Sequence, residues 1–528
     1  MIEEQLDEFI EDLTPALAGE VVSSSIDRNT LNVEIRKGSF LAMASHISKH
    51  YHAWLISEHA VDMRSKDGTF HIYVIFALPK GDRIISVMAR ADPSDASFTS
   101  ITPEVYAANW FEREMMEGFG LLPSGHPDLR PIRLYDDWPS GFYPLRKDFD
   151  PSVHVPRIAS GYEYNRVEGE GIFEVPVGPV HAGVIEPGHF RFSVAGEPVI
   201  HLEIRMGYVH KGIEKLSESM AYDRGVLLSE RISGDNGFTH SLAYCQAIES
   251  IAGAEVPDRA RFLRTVYSEM ERIYNLFGDI GGIALDVAFG VGAQNAYVLK
   301  ERMLSLNEKV TGSRFLRSVD RIGGVSKDID KDAKKAISTE LIGIKLDFDE
   351  LVKTMTGMPS LLDRVETTGL LSMDAAKNLN VVGPIARASG IDRDTRRDHP
   401  YAAYKDVSFS IPSSRDGDVN ARMTVKIEEV LESISIIEQA MDKMPEGPIF
   451  TEVKEVPEGK VGMSLTETHR GEAMHWVLSG DGRPYRHKVR DPSFLNWPAI
   501  EIAVLGNIVP DFPVVNKSFN LSYSGNDL

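Results

Sequence analysis

The chain has 528 residues, 42% hydrophobic and 26% charged, which suits a globular protein with a large core and room for roughly two to four domains. A formal net charge of −21 argues against nucleic-acid binding and against electrostatic adhesion to an anionic membrane surface, since both need clustered positive charge. The one cysteine, Cys245, excludes an internal disulfide and a cysteine-bound zinc or iron–sulfur site within the chain, and points to a reducing, cytoplasmic setting.

The acidic start, MIEEQLDEFIEDL, does not read as a secretory signal. Ile2 to Leu17 instead puts Leu6, Phe9, Ile10 and Leu13 on one face of an amphipathic helix. Strand patterns follow at Thr30–Arg36, Ala53–Met63, Thr69–Ala77 and Arg83–Ala89, with a hairpin turn at Lys66-Asp67-Gly68. Helices are expected at Phe40–Tyr51 and Glu104–Glu117. Pro151 to Glu174 is polar and rich in glycine and proline, as linkers are. A hairpin is expected from Phe190–Val194 and Val199–Arg205 across Ala195-Gly196-Glu197, with helix signals from Lys211. From Gly237 to about Met444 the pattern is mainly helical, with helices at Phe238–Ile251, Asp258–Asp286, Ala296–Thr311 and Asn420–Met444. Strands return at Val461–Thr466, Ala473–Leu478 and Tyr485–Val489. No apolar run reaches the roughly 18 residues a spanning helix needs.

Three ordered sets of motifs carry a family resemblance. Glu112-Arg113-Glu114, Phe119-Gly120, Gly125 to Arg130 (GHPDLR) and Pro144 to Asp148 (PLRKD) resemble the signature of the C-type (30 kDa) subunit of complex I. Gly178, Pro179, His181, Glu186, Pro187, Gly188, His189 and Arg191, then Gly207 to Gly212 and Glu214 to Leu216, resemble the D-type (49 kDa) subunit of complex I and the start of hydrogenase large subunits. Residues 230–241, ERISGDNGFTHS, resemble the hydrogenase segment ERVCGICGFTHS. The resemblance implies an α+β protein in three parts: a small α+β domain over 1–150, a linker over 151–173, and a mainly helical hydrogenase-large-subunit-like domain with peripheral β-hairpins over 174–528. A fusion of this kind is typical of membrane-bound hydrogenases of the formate hydrogenlyase type.

The metal ligands of that family are missing. Ser233 and Asn236 stand at the first cysteine pair, and Ser522 and Gly525 at the C-terminal pair. Nickel and iron in such a site need soft thiolates, so no nickel–iron centre is expected. Glu467-Thr468-His469-Arg470-Gly471-Glu472 resembles the family's EAPRGE loop, whose arginine overhangs the metals, with His469 in place of the proline. Arg470 is therefore expected either in the emptied cavity or in a structural ion pair. A tyrosine and a histidine hold a quinone in the D-type subunit of complex I, where metals once sat. The resemblance puts that tyrosine at Tyr244 and the histidine on the hairpin from His181 to His189, with Tyr244 as a buried core residue the alternative. Glu230 joins the proton chemistry, and His189, His240 and Glu186 line the acceptor side. The Glu472/His475 pair has the ExxH spacing of di-iron sites but lies in a strand pattern, where chance explains it.

The resemblance implies an oxidoreductase subunit, NADH dehydrogenase (quinone)-like, taking part in electron transport. Its partners would be a small iron–sulfur subunit of the complex I B type, and membrane subunits of the complex I H type and the antiporter-like type. It would sit at the cytoplasmic face of the membrane through them, with an iron–sulfur cluster in the neighbouring chain and a quinone as candidate ligand. The alternatives are a coupling subunit with a vacated cavity and a working hydrogenase.

Overall fold

The computed structural model describes residues 9, 12–13, 15–79, 81–182 and 185–528. Of the expected first helix, Leu6 and Ile10 lie outside the described residues, while Phe9 and Leu13 are buried. The chain divides into two compact units. One runs up to Asn165 and includes Arg205–His210; the other comprises Arg166–Ile204 and Lys211–Leu528.

The first unit is built on a five-stranded sheet: β1 (Val21–Asp27), β2 (Thr30–Ile35), β3 (Trp54–Asp62), β4 (Phe70–Ala77) and β5 (Ile84–Ala91), in the order β1-β2-β5-β4-β3. Neighbours are antiparallel except β2 and β5, which run parallel with Thr30 opposite Ile84. The four expected strands are present within a residue or two. β1 is an addition at the sheet edge, where its serines face outward. The expected helix at Glu104–Glu117 divides into a 3-10 turn, Tyr106–Ala108, and a helix, Asn109–Phe119.

The signature shared with the 30 kDa type holds this unit's loops to that helix. Buried Glu112 accepts from Ser100 Oγ, Ile101 N and Thr102 Oγ1 at 2.5–2.7 Å. Glu114 pairs with Arg133, and Arg113 donates to the Arg130 carbonyl at 2.7 Å. Arg64 bridges Asp62 and Asp148 at 2.8 Å to each. Gly120 ends the helix at φ +71, where a Cβ would sit 2.5 Å from the Tyr143 ring, so the Phe-Gly pair is a steric requirement here. Residues 151–170 carry no regular secondary structure.

The second unit opens with a three-stranded sheet: Ile172–Val177, His189–Ala195 and Val199–Arg205. Its first strand begins inside the stretch read as linker. The core is the helix Asp258–Asp286, buried along most of its length, with the helices Gly290–Thr311 and Val419–Lys443 packed against it. The helix Lys331–Thr356 lies against the latter two, its start capped by Asp330. The helix Gly237–Ala252 packs on an antiparallel sheet of Val461–Thr468, Gly471–Ser479 and Pro484–Arg490.

Beside that sheet runs a lattice of buried charges. Arg387 pairs with Asp394, Glu429 and Glu467; Arg396 with Glu269 and Asp394; Arg393 and Arg490 with Glu472. All are nearly sealed from solvent, as burial of charge requires partners. Among the described residues no helix is long and apolar enough to cross a membrane.

Candidate functional site

Three segments distant in sequence meet in the second unit. The first is the loop 230–236, leading into the helix Gly237–Ala252. The second is the turn His469-Arg470 between the strands ending at Thr468 and starting at Gly471. The third is the C-terminal stretch from Asn520. Each is pinned from outside. Glu271 of the core helix accepts from Phe238 N and Thr239 N at 2.8 and 2.9 Å, capping the helix start. Burial lifts its carboxyl to about 7 against these stabilising bonds. Glu186 accepts from Ser524 N at 3.0 Å, and Lys211 Nζ donates to the Ser524 carbonyl at 2.9 Å.

The four positions expected from the resemblance to have lost metal ligands come together. Ser233 Oγ lies 2.8 Å from Ser522 Oγ and 2.7 Å from Asp235 Oδ1. Asn236 Oδ1 accepts from Arg470 Nη1 at 2.9 Å, and its Nδ2 lies 3.0 Å from His469 Nδ1. Arg470 also grips Asp235 through both nitrogens, at 3.0 and 2.6 Å, and donates to the Asn520 carbonyl. This guanidinium holds the Asp235 carboxyl far below the usual range. Asp235 keeps 37% of its side chain in solvent, so the cluster has a wet edge.

Gly525 faces the carboxylate of Asp491. A Cβ at 525 would lie 2.5 Å from Asp491 Oδ2 and 3.0 Å from Oδ1. A carboxylate thus occupies the space into which a side chain at 525 would project. Asp491 also caps the helix Pro492–Ala503 through Ser493 N at 2.7 Å and receives His240 Nε2 at 3.0 Å. These bonds hold its carboxyl below the ordinary range.

The remaining expected residues lie apart from this cluster's polar centre. Tyr244 is fully buried one turn along from His240. It packs in an apolar group with Tyr222, Val226, Ile248 and Val477, its hydroxyl lying over Gly225 without a hydrogen-bond partner among the described residues. Its ring meets those of His475 and His487 at 6.3 and 5.1 Å. Glu230 turns the other way, onto Ser318 N and Arg231. His181 Nε2 pairs with the Gly188 carbonyl at 2.8 Å, and His189 Nδ1 lies 3.4 Å from the Gly178 carbonyl, so both fasten the hairpin to itself. Glu472 and His475 point to different partners, Glu472 to arginines and His475 to histidines.

Sequence reasoning missed Asp235, His487 and Asp491, and gave His469 and His475 no part in the site. All but His475 lie among other polar residues, so no local pattern singles them out, and only burial beside a partner, partial for Asp235, marks them.

Fold and converging positions together define a complex I 49 kDa/hydrogenase large-subunit type of domain preceded by a 30 kDa type. Comparison bears this out. The family "Respiratory-chain NADH dehydrogenase, 49 Kd subunit" matches residues 286–460 and 449–527, and "Respiratory-chain NADH dehydrogenase, 30 Kd subunit" matches 33–155. Formate hydrogenlyase subunit 5 of Escherichia coli is 32% identical over all of this chain and 94% of its own length. The C/D subunit of NADH-quinone oxidoreductase from Phocaeicola vulgatus is 33% identical over 72% of this chain and 78% of its own. A chain of the membrane-bound sulfane sulfur reductase, an archaeal respiratory membrane complex, superposes with a TM-score of 0.64 at 26% identity, over 68% of this chain and 99% of that one. The chain belongs to the family of fused complex I 30 kDa/49 kDa proteins related to formate hydrogenlyase subunit 5. Its donor set of two hydroxyls, an amide and a glycine does not fit a thiolate-held nickel–iron centre.

Proposed function

We propose that this chain is the large hydrophilic subunit of a membrane-bound, complex I-like oxidoreductase that works without a nickel–iron centre. The observation that carries the reading is the cluster itself: four former ligand positions, still convergent, now joined by Ser233–Ser522, Arg470–Asp235 and Asp491 against Gly525. In this reading an iron–sulfur cluster in an adjacent small subunit delivers electrons. A small acceptor such as a quinone takes them at the wet edge beside Asp235 and Arg470. Membrane subunits of the H and antiporter types move ions, and hold the chain at the cytoplasmic face. Arg470 would bind and orient the acceptor's oxygen, and its charge would favour the reduced, anionic form. The sulfane sulfur reductase widens the range of acceptors to sulfur compounds.

A second reading is favoured by the same packing. The Arg470–Asp235 pair and the Asp491 carboxylate pack tightly among the converging positions, as a purely coupling subunit would need. Purification of the complex from membranes separates these readings. The redox reading expects a bound iron–sulfur partner, quinone reduction that falls at least tenfold in Arg470→Ala, and no nickel by elemental analysis. Stoichiometric nickel refutes both readings. Turnover unaffected by Arg470→Ala leaves the coupling role.

A further inference from the structure

Behind the cluster lies a line of buried hydrogen bonds that the resemblance does not account for. Asp491 Oδ2 meets His240 Nε2 at 3.0 Å. His240 Nδ1 meets His475 Nε2 at 3.0 Å. His475 Nδ1 meets His487 Nε2 at 3.0 Å, and His487 Nδ1 meets Ser217 Oγ at 2.9 Å. We propose that Asp491, His240, His475, His487 and Ser217 form a proton relay that supplies the cluster from beneath the surface at the helix Ile213–Ser217. The proposal rests on the reading of the cluster as a site of acceptor reduction.

With Asp491 ionised and the three imidazoles neutral, the direction of every bond follows. A neutral imidazole has one N–H donor and one bare nitrogen. Asp491 as a carboxylate can only accept, so His240 carries its proton on Nε2 and offers Nδ1 as acceptor. His475 must then donate from Nε2, and His487 likewise. The bare Nδ1 of His487 accepts the Ser217 hydroxyl proton. Three imidazoles are thereby locked in one tautomer, pointing at Asp491. Burial supports the neutrality of the two inner rings: it pushes His475 well below the usual histidine range and His487 to about 3. The charges facing His487, Glu214 with Arg486 and Lys488, are paired with one another. The charge facing Asp491 is that of Arg470, itself paired with Asp235.

The relay step balances without a redox partner. A proton arrives at His487 Nδ1 through Ser217 while the Nε2 proton of His487 passes to His475 Nδ1. The His475 Nε2 proton passes to His240 Nδ1, and the His240 Nε2 proton to Asp491. Each imidazole ends neutral, as the other tautomer, and Asp491 ends as the acid. An acceptor anion formed by reduction in the cluster takes that proton, and reversal of the tautomers resets the line. The two ends are suitably placed. Asp491 lies against Gly525 within the cluster. Ser217 is itself buried, and its neighbour Leu216 is exposed. Tyr244 walls the middle of the line and offers it no competing bond.

The test is His475→Gln in the purified complex. A glutamine amide can replace both hydrogen bonds of His475 but cannot pass a proton between them. Exchange of the buried His240 N–H with deuterated solvent, read by nitrogen-15 histidine NMR, should slow at least tenfold. Quinone turnover should fall at least tenfold and its solvent isotope effect should rise, with the unfolding midpoint unchanged. Unaltered His240 exchange, or a protonated or Nδ1–H imidazole at His475 in the unmutated protein, overturns the relay. A loss of turnover in Arg470→Ala but not in His475→Gln overturns the relay alone. If neither variant loses turnover, the reading of the cluster falls with it.

Discussion

Gly525→Ala opposes two effects of similar size. Gly525 lies in the helical turn Tyr523–Asp527 with an ordinary backbone angle, so helix propensity favours alanine by up to about 1 kcal/mol. The new methyl, however, would sit 2.5 Å from Asp491 Oδ2. Asp491 must then swing away from His240 and loosen its cap on Ser493 N. A charge-assisted hydrogen bond is worth about 1.5–3 kcal/mol and a helix cap about 1. Overpacking alone costs about 1–3. These costs overlap, and a net destabilisation of about 2–4 kcal/mol is expected in urea unfolding of the second unit. The same change in an Asp491→Ala background should be neutral or stabilising, because the clashing oxygens are gone. A stabilised Gly525→Ala, or equal costs in both backgrounds, would refute the claim that the carboxylate occupies the space of a side chain at 525.

Three other outcomes are expected. Glu271 has a folded-state value of about 7, above its unfolded 4.5, so between those pH values the folded chain holds a proton the unfolded chain has released. Stability should fall as pH rises through this window, by roughly 3 kcal/mol, and Glu271→Gln should flatten the unfolding profile there. Tyr244→Phe removes a buried hydroxyl with no partner among the described residues, so the melting temperature should stay or rise and turnover should hold; a tenfold loss of turnover would return that hydroxyl to the chemistry. Limited proteolysis should nick between residues 151 and 170, which carry no regular secondary structure; first cleavage within Trp110–Asp150 would contradict the role of the signature as a clasp.

What could be read from the sequence follows from how local each signal is. β3, β4 and β5 were legible because buried apolar residues run along them between clear turns, whereas β1 is a serine-rich edge strand with no such pattern. Ser233, Asn236, Ser522 and Gly525 could be placed together only through the resemblance, since nothing local links residues so far apart. Asp491 and His487 escaped altogether, and His475 showed only a chance spacing. Each is one polar side chain in a strand or at its end, and its partners come from other elements. The helix Lys331–Thr356 was legible only as part of a broadly helical region, although Asp330 supplies a start signal.

The lattice of arginines and carboxylates beside the sheet has a consequence for how such a chain can change over generations. Removing one member of a sealed ion pair strands its partner and costs about 3–5 kcal/mol, whereas replacing both by apolar groups of like volume is often tolerated. Arg387 answers to Asp394, Glu429 and Glu467 at once, and Glu472 to both Arg393 and Arg490. A lone substitution there crosses a deep valley. Descendants that drift in this region should therefore do so in matched sets, while surface positions drift singly. The lattice acts as an inherited lock on the frame, and leaves a lineage free to exchange the chemistry at the cluster while the scaffold around it stays still.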